Sequence, residues 1–254
     1  MALTQKSLFL YGLQVTSLNS SLDFKAASGG PVLQATIPIG FYSLTDLMNA
    51  VVSAMAAVDT THTYTCTANR AVSGGTQNRV TISTSGTFLS LLFSSGSRSA
   101  STIAPLLGFA VADQTGATSY TGTSTAGTAL QPVWWGKNYL DTNSLRTNFG
   151  SLNISANGTK EAITYQIQQF IEVQFDYEPY AAVVNSWQPF LTWAIQQQGF
   201  EFTPDVTNPN TFYNVTLEST EEDSQGLGYR MKEMLPDMPF LYTTGLLQFR
   251  LKVS

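Results

Sequence analysis

The sequence predicts a mainly β protein with a few short helices (α+β), built as β-sandwich or barrel-like domains. Three observations predict it. Apolar and polar residues alternate over long stretches, above all from Ala162 to Tyr177. Only two stretches, beginning near Ser43 and near Asn185, carry apolar residues at helical spacing. The intervening segments are rich in Gly, Pro, Ser, Thr and Asn, the residues of turns.

At the N-terminus, Leu8, Leu10 and Gly12 alternate with Phe9, Tyr11 and Leu13. Both faces carry apolar groups, as in a strand covered on both sides. Gly29, Gly30 and Pro31 form a loop, and Val32 to Ile37 a short strand. Gly40-Phe41-Tyr42 reads as a turn that leads into the clearest helix. Ser43 is its N-cap with Asp46 three residues on, and Leu44, Leu47, Met48, Val51, Met55 and Val58 fall on one stripe. Thr63 to Thr67 and Arg79 to Ser83 alternate like paired strands joined by a Gly74-Gly75 loop, and Thr87 to Phe93 is a third strand. Ser101 is expected to cap a short helix that Gly108 stops. Asp113 to Gly127 is rich in Thr, Ser, Gly and Ala and reads as a long loop or extended arm.

A boundary just after that arm gives two domains. Residues 1–130 form an N-terminal β-rich domain with one capped helix, and 131–254 a C-terminal β-rich domain with one helix. The second domain opens on a strand well above the usual 5–6 residues. Ile163, Tyr165, Ile167, Gln169, Ile171, Val173, Phe175 and Tyr177 hold one of its faces. Asn185 or Ser186 caps the second helix, with Pro189 in its first turn, Trp187, Phe190, Leu191, Ala194 and Ile195 on its stripe, and Gly199 as its stop. Leu241 to Val253 reads as the last strand.

Charge is scarce. Asp, Glu, Lys and Arg make up 11% of the chain, against about a quarter in a typical soluble domain. Yet 43% of the residues are hydrophobic, which is too apolar for disorder. A neutral surface of hydroxyls and amides favours association and suits a subunit covered by neighbours. The charge is also sorted: ten acidic residues and no base lie between Lys160 and Arg230. This acidic balance argues against general nucleic-acid binding, which calls for a basic face.

Cys66 is the only cysteine, so an intrachain disulfide and a thiolate metal cluster are both excluded. Its place in an alternating run reads as a buried strand thiol. No secretory leader pattern is visible, and the apolar helix Leu47 to Val58 falls short of the roughly 20 residues that span a bilayer. A soluble chain made in the cytoplasm, without membrane insertion, is expected.

No catalytic pattern emerges, and neither enzyme activity, a metal site nor a cofactor is expected. His62 is the only histidine. Its closeness to Cys66 is a weak hint of a nucleophile, and a strand-end histidine is the plainer reading. GxSxG, P-loop and helix-opening GxGxxG patterns are missing. Carboxylates cluster as Glu172, Asp176 and Glu178, then as Glu218, Glu221, Glu222 and Asp223. The first three share a strand face, where a pair could serve glycoside hydrolysis. The second group could hold a hard cation, but lacks the Asp-x-Asp-x-Asp-Gly order. A solvated acidic face is the favoured reading of both. Trp187 lies on the helix stripe and is expected in the core. Trp193 falls about 120° off that stripe, and Trp134-Trp135 cannot both face one core from a strand. Trp134, Trp135 and Trp193 are therefore the subunit-interface candidates.

Two groups of residues carry a resemblance. The unit Ile37-Pro38-Ile39-Gly40-Phe41-Tyr42-Ser43, followed by a capped helix, Arg79-Val80-Thr81-Ile82-Ser83 and Leu106-Leu107-Gly108-Phe109, resembles a module of virion proteins from tailed bacteriophages and other double-stranded DNA viruses. Trp187, Trp193-Ala194 and Gly199-Phe200-Glu201-Phe202-Thr203-Pro204-Asp205, with a Tyr213-containing strand after them, are similar to tail-tip proteins of the distal-tail kind. The resemblance implies a structural baseplate protein of the virion tail. It would be a β-rich ring subunit, often hexameric, that joins the tail tube and other tail proteins to the tip and passes double-stranded DNA without specific binding. It implies no catalytic residue. Within that frame, Glu172, Asp176, Glu178, Glu218, Glu221, Glu222 and Asp223 are candidates for an acidic lumen wall that repels phosphates over a Debye length of about 8 Å. Other readings stay open: a receptor- or glycan-binding module using Trp134, Trp135 and tyrosines, a neck or head-decoration protein, and a carboxylate hydrolase.

Overall fold

The structure is a computed structural model. It describes residues 7–71, 76–127, 133–135, 143–154, 160–196, 199–205, 207–208, 210–218, 232–235 and 238–252, with backbone alone over 7–8, 133–135, 143–154, 160–168, 232–235 and 238–239. The chain makes two compact units, and neither is one continuous stretch. Ser7–Trp135 combines with Gly199–Phe212, and Gly136–Gln198 combines with Tyr213–Ser254.

In chain order the strands are β1 (Ser7–Leu10), β2 (Leu13–Val15), β3 (Ser21–Lys25), β4 (Leu33–Thr36) and β5 (Gly40–Tyr42). Helix α1 (Leu44–Val58) precedes β6 (Tyr64–Ala68), β7 (Val80–Thr84), β8 (Leu89–Leu91), β9 (Gln114–Ala117), β10 (Ser119–Thr121) and β11 (Val133–Trp135). Then come β12 (Asn143–Ile154), β13 (Lys160–Gln174), β14 (Glu178–Pro179), α2 (Tyr180–Ala182), a π-helical turn Val183–Trp187 and α3 (Gln188–Ala194). The chain continues through β15 (Phe200–Thr203), β16 (Tyr213–Glu218), β17 (Lys232–Leu235), β18 (Met238–Thr243) and β19 (Leu246–Leu251). The protein is mainly β with short helices, as the sequence predicts. Among the described residues every sheet is an open series of strands and none closes into a barrel.

The N-terminal unit packs sheets β4-β3-β8-β9, β10-β7-β6 and β2-β5 around α1. Ser43 caps α1 as expected: its Oγ accepts the Asp46 N–H at 3.1 Å. Leu44, Leu47, Met48, Val51 and Met55 are buried. They share one core with Leu22, Phe24, Val80, Ile82, Leu89 and Leu91. Full burial of a side chain such as Phe24 is worth about 1.5–3 kcal/mol. Val58, the last residue of the predicted stripe, lies half-exposed at the helix end.

Three local expectations are corrected here. Gly40-Phe41-Tyr42 is not a turn: it pairs with β2, Leu13 opposite Tyr42. Asp113 to Gly127 is no free arm, since β9 pairs with β8 and β10 with β7. The buried Tyr120 holds this segment down by donating its hydroxyl to the Leu89 carbonyl at 2.8 Å. Ser101 caps no helix; it ends a 3₁₀ turn, and its Oγ lies 2.8 Å from Ser21 Oγ. Gly108 does stop a turn, with φ at +78° and the Phe109 N–H donating to the Ala104 carbonyl at 2.9 Å. The Gly74-Gly75 loop lies outside the described residues.

Two further sets of strands lie in separate units. In the N-terminal unit β1 pairs with both β11 and β15. The C-terminal unit carries the series β16-β19-β13-β12 and the small sheet β14-β18-β17. The long strand ends at Gln174, and Tyr177 takes a left-handed φ of 62° that turns the chain into β14. The predicted last strand is two strands, broken where Gly245 adopts φ +61°. The second helical run begins at Tyr180, so Asn185 and Ser186 lie inside it rather than at its cap. Pro189 sits in the first turn of α3. Having no N–H, it could not continue a regular bond ladder from α2. A wider turn, with Gln188 N–H donating to the Val183 carbonyl, precedes it.

Candidate functional site

The most developed polar site lies in the N-terminal unit, where β15 supplies its centre. The run Phe200-Glu201-Phe202-Thr203 is buried along its whole length. Phe200 and Phe202 stack beside Phe9, with ring centroids 6.1 and 5.0 Å away. Glu201, only 1% exposed, points the other way, to the start of α1. Its Oε1 accepts the Thr45 N–H at 2.7 Å and the Thr45 hydroxyl at 2.8 Å. The Arg70 guanidinium forms an ion pair with the same carboxylate and donates to Thr45 Oγ1 at 3.2 Å. Arg70 also lies 4.3 Å over the ring of Phe212.

This arrangement is a carboxylate receptor. A helix N-terminus presents an unpaired N–H and the positive end of its dipole, and Arg70 adds a full charge. Desolvating a carboxylate this deeply would cost several kcal/mol without such partners. The site's chemical capacity is to hold an extended Phe-Glu-Phe segment by strand pairing, ring packing and charge. Thr45, Arg70 and Glu201 escaped the reading of the sequence. One signal was present: a lone acid between two phenylalanines in a short apolar strand demands a buried partner.

Other charges are likewise consumed inside their own unit. Asp23 is buried under Arg98, whose Nε donates to Oδ1 at 2.8 Å and whose backbone N–H donates to Oδ2 at 3.0 Å. Nη2 of Arg98 reaches the Ala35 carbonyl and Nη1 reaches Thr36, both at 2.8 Å, which ties β3 to β4. Asp59 ends α1 and receives the Tyr64 hydroxyl at 2.5 Å, with His62 Nδ1 at 2.9 Å. Burial alone would raise the Asp59 pKa; the bonds from Tyr64, His62 and Thr61 outweigh it and hold the carboxyl at about 2. Burial likewise opposes ionisation of Asp113, but bonds from Ser94 and Ser95 hold it at about 2. In the C-terminal unit Arg250 Nε lies 2.7 Å from Glu218.

His62 is thus an orienting partner of Asp59, and Cys66 packs against the core, where burial pushes its thiol up to about 12. Among the described residues no acid or base is bonded to that thiol.

The residues singled out in the sequence scatter. Trp134 and Trp135 lie on β11 at the register of Leu8 and Ser7. Trp187 is fully buried, with ring centroids 5.1 Å from Phe175 and 6.2 Å from Phe190. Trp193 is buried too, because α3 is covered over a wider arc than its apolar stripe and only Gln188, Pro189 and Thr192 stay exposed. Glu172, Asp176 and Glu178 do not share one strand face, since the chain turns at Tyr177. Glu172 accepts from Gln248 at 3.0 Å, Asp176 accepts from the Thr243 hydroxyl at 2.5 Å, and Glu178 is buried on β14. Glu221, Glu222 and Asp223 lie outside the described residues. No helix among the described residues is long and apolar enough to cross a membrane. No family model matches this chain, and no curated protein matches it either.

Proposed function

We propose that this protein is a structural subunit of a bacteriophage tail, of the ring-forming distal-tail kind. The observation that carries the reading is where the charge goes. The chain has little of it, and Asp23, Asp59, Arg70, Arg98, Asp113, Glu201, Glu218 and Arg250 spend theirs on partners within their own units. Among the described residues, what faces outward is largely Ser, Thr, Gln and Asn, with exposed apolar side chains such as Leu18, Ile39, Tyr177, Tyr180 and Phe240 among them. Such a surface is poorly protected against association and suits a subunit enclosed by copies of itself and by other tail proteins. The resemblance to distal-tail proteins points the same way. Among the acidic residues suggested for a lumen wall, Glu172 and Asp176 are half-exposed, Glu218 is paired with Arg250 and Glu178 is buried, so a DNA-repelling wall would rest on Glu172, Asp176 and Glu221 to Asp223.

Mass photometry and negative-stain imaging of the purified protein test the reading. Rings with a central hole are expected; a monomer that persists at high concentration would overturn it. Exposed Tyr177, Tyr180 and Phe240 favour a second reading, a glycan-binding module. Specific signals on a glycan array from a monomeric protein would select it.

A further inference from the structure

The receptor around Glu201 has a property that reaches beyond one chain. Its occupant, Gly199–Phe212, belongs to the N-terminal unit in space but enters it from elsewhere in the sequence. Its anchoring contacts are remote: Glu201 bonds Thr45 across 156 positions and Arg70 across 131, and β15 pairs with β1 through Leu8–Thr203, Phe9–Phe202 and Leu10–Glu201. The anchoring chemistry is therefore a matter of surface complementarity. The site recognises an extended strand with two phenylalanines and one carboxylate, and every copy of the chain carries that strand.

We infer that, in the assembled protein, residues 199–212 of one copy occupy the Thr45–Arg70–β1 site of a neighbouring copy. This rests on the reading of the chain as a self-associating subunit. Three physical points support it. An exchanged segment makes the same bonds to Thr45, Arg70 and β1 in a neighbour as at home, so exchange strands no charge at that site. In a ring, the neighbour's segment is held at high effective concentration. Each transfer also links two copies through a desolvated ion pair and a strand pair.

The test uses two full-length variants, Leu8→Cys and Thr203→Cys, at directly opposed positions of the β1–β15 pair. Opposed Cβ atoms in such a pair lie about 4.5–5.5 Å apart, close enough for a disulfide after a small adjustment. Native Cys66 is shielded, with its thiol pushed up to about 12, and a Cys66→Ser background removes it altogether. The variants are co-expressed, oxidised mildly after assembly and run on a non-reducing denaturing gel. Exchange predicts a disulfide-linked two-chain band from the mixture. It also predicts a ladder of linked chains from the Leu8→Cys/Thr203→Cys double variant. Rings that carry only one-chain internal links in the double variant, with no linked band from the mixture, overturn the exchange and leave the subunit reading intact. Internal links in a protein that mass photometry shows to be monomeric overturn both.

Discussion

Replacing Glu201 by alanine removes one carboxylate and leaves two groups stranded. Arg70, whose side chain is 12% exposed, loses its counter-charge, and the Thr45 N–H at the start of α1 loses its acceptor. Breaking a buried ion pair from one side costs about 3–5 kcal/mol, and a lost first-turn acceptor costs about 1 kcal/mol. The two losses overlap because they share one carboxylate, so about 3–5 kcal/mol in total is expected. Glu201→Gln keeps the volume and an oxygen for Thr45 but surrenders the charge, and about 2 kcal/mol is expected from the weakened bonds. Urea unfolding followed by far-UV circular dichroism reads both numbers as shifts in midpoint at constant slope. A double-mutant cycle with Arg70→Ala isolates the pair: the double variant should cost clearly less than the two single changes together. A Glu201→Ala cost below about 1 kcal/mol, or strict additivity in the cycle, would refute the reasoning, since either result means that Arg70 and Glu201 do not depend on each other.

Further outcomes follow from individual sites. Asp59 and Asp113 sit at about 2 in the folded chain, below the ordinary 3.8, so their contribution is complete above about pH 4 and is lost as the pH falls through 2. Asp59→Asn should cost about 1–2 kcal/mol at pH 7, less than the full shift because the amide oxygen still accepts some of the bonds from Tyr64 and Thr61. It should also flatten the acid limb of a stability–pH curve, and an unchanged limb would contradict this. Cys66, with its thiol at about 12, should react with a thiol reagent at pH 8 far more slowly in the native protein than in urea; equal rates would show that the thiol is not shielded. Gly108→Ala should cost about 3 kcal/mol or more by thermal or urea unfolding, because φ is +78° and the new Cβ would collide with the Ser124 carbonyl. A near-neutral effect would mean that this turn shifts freely.

What the sequence determined by itself is what neighbours along the chain decide. The cap and buried stripe of α1 were legible because Ser43, Asp46 and Leu47 interact within one helical turn. Trp187 was placed in the core by the same periodicity, and the β character of most of the chain by alternation alone. The stop at Gly108 was visible because only glycine enters that conformation without cost. Tertiary structure decided the rest. Gly40-Phe41-Tyr42 and the Thr-rich stretch after Asp113 carry weak local signals, and they became strands because β2, β7 and β8 offered them open edges. Trp193 looked outward on a helical wheel and was buried because α3 is covered on more than one side. Above all, nothing near Glu201 in the sequence announces Thr45 or Arg70. The pocket exists only once β1 pairs with β15 and brings a helix N-terminus and a guanidinium to one carboxylate. A bond between residues more than a hundred positions apart leaves no periodicity to read, only the oddity of an acid set between two phenylalanines.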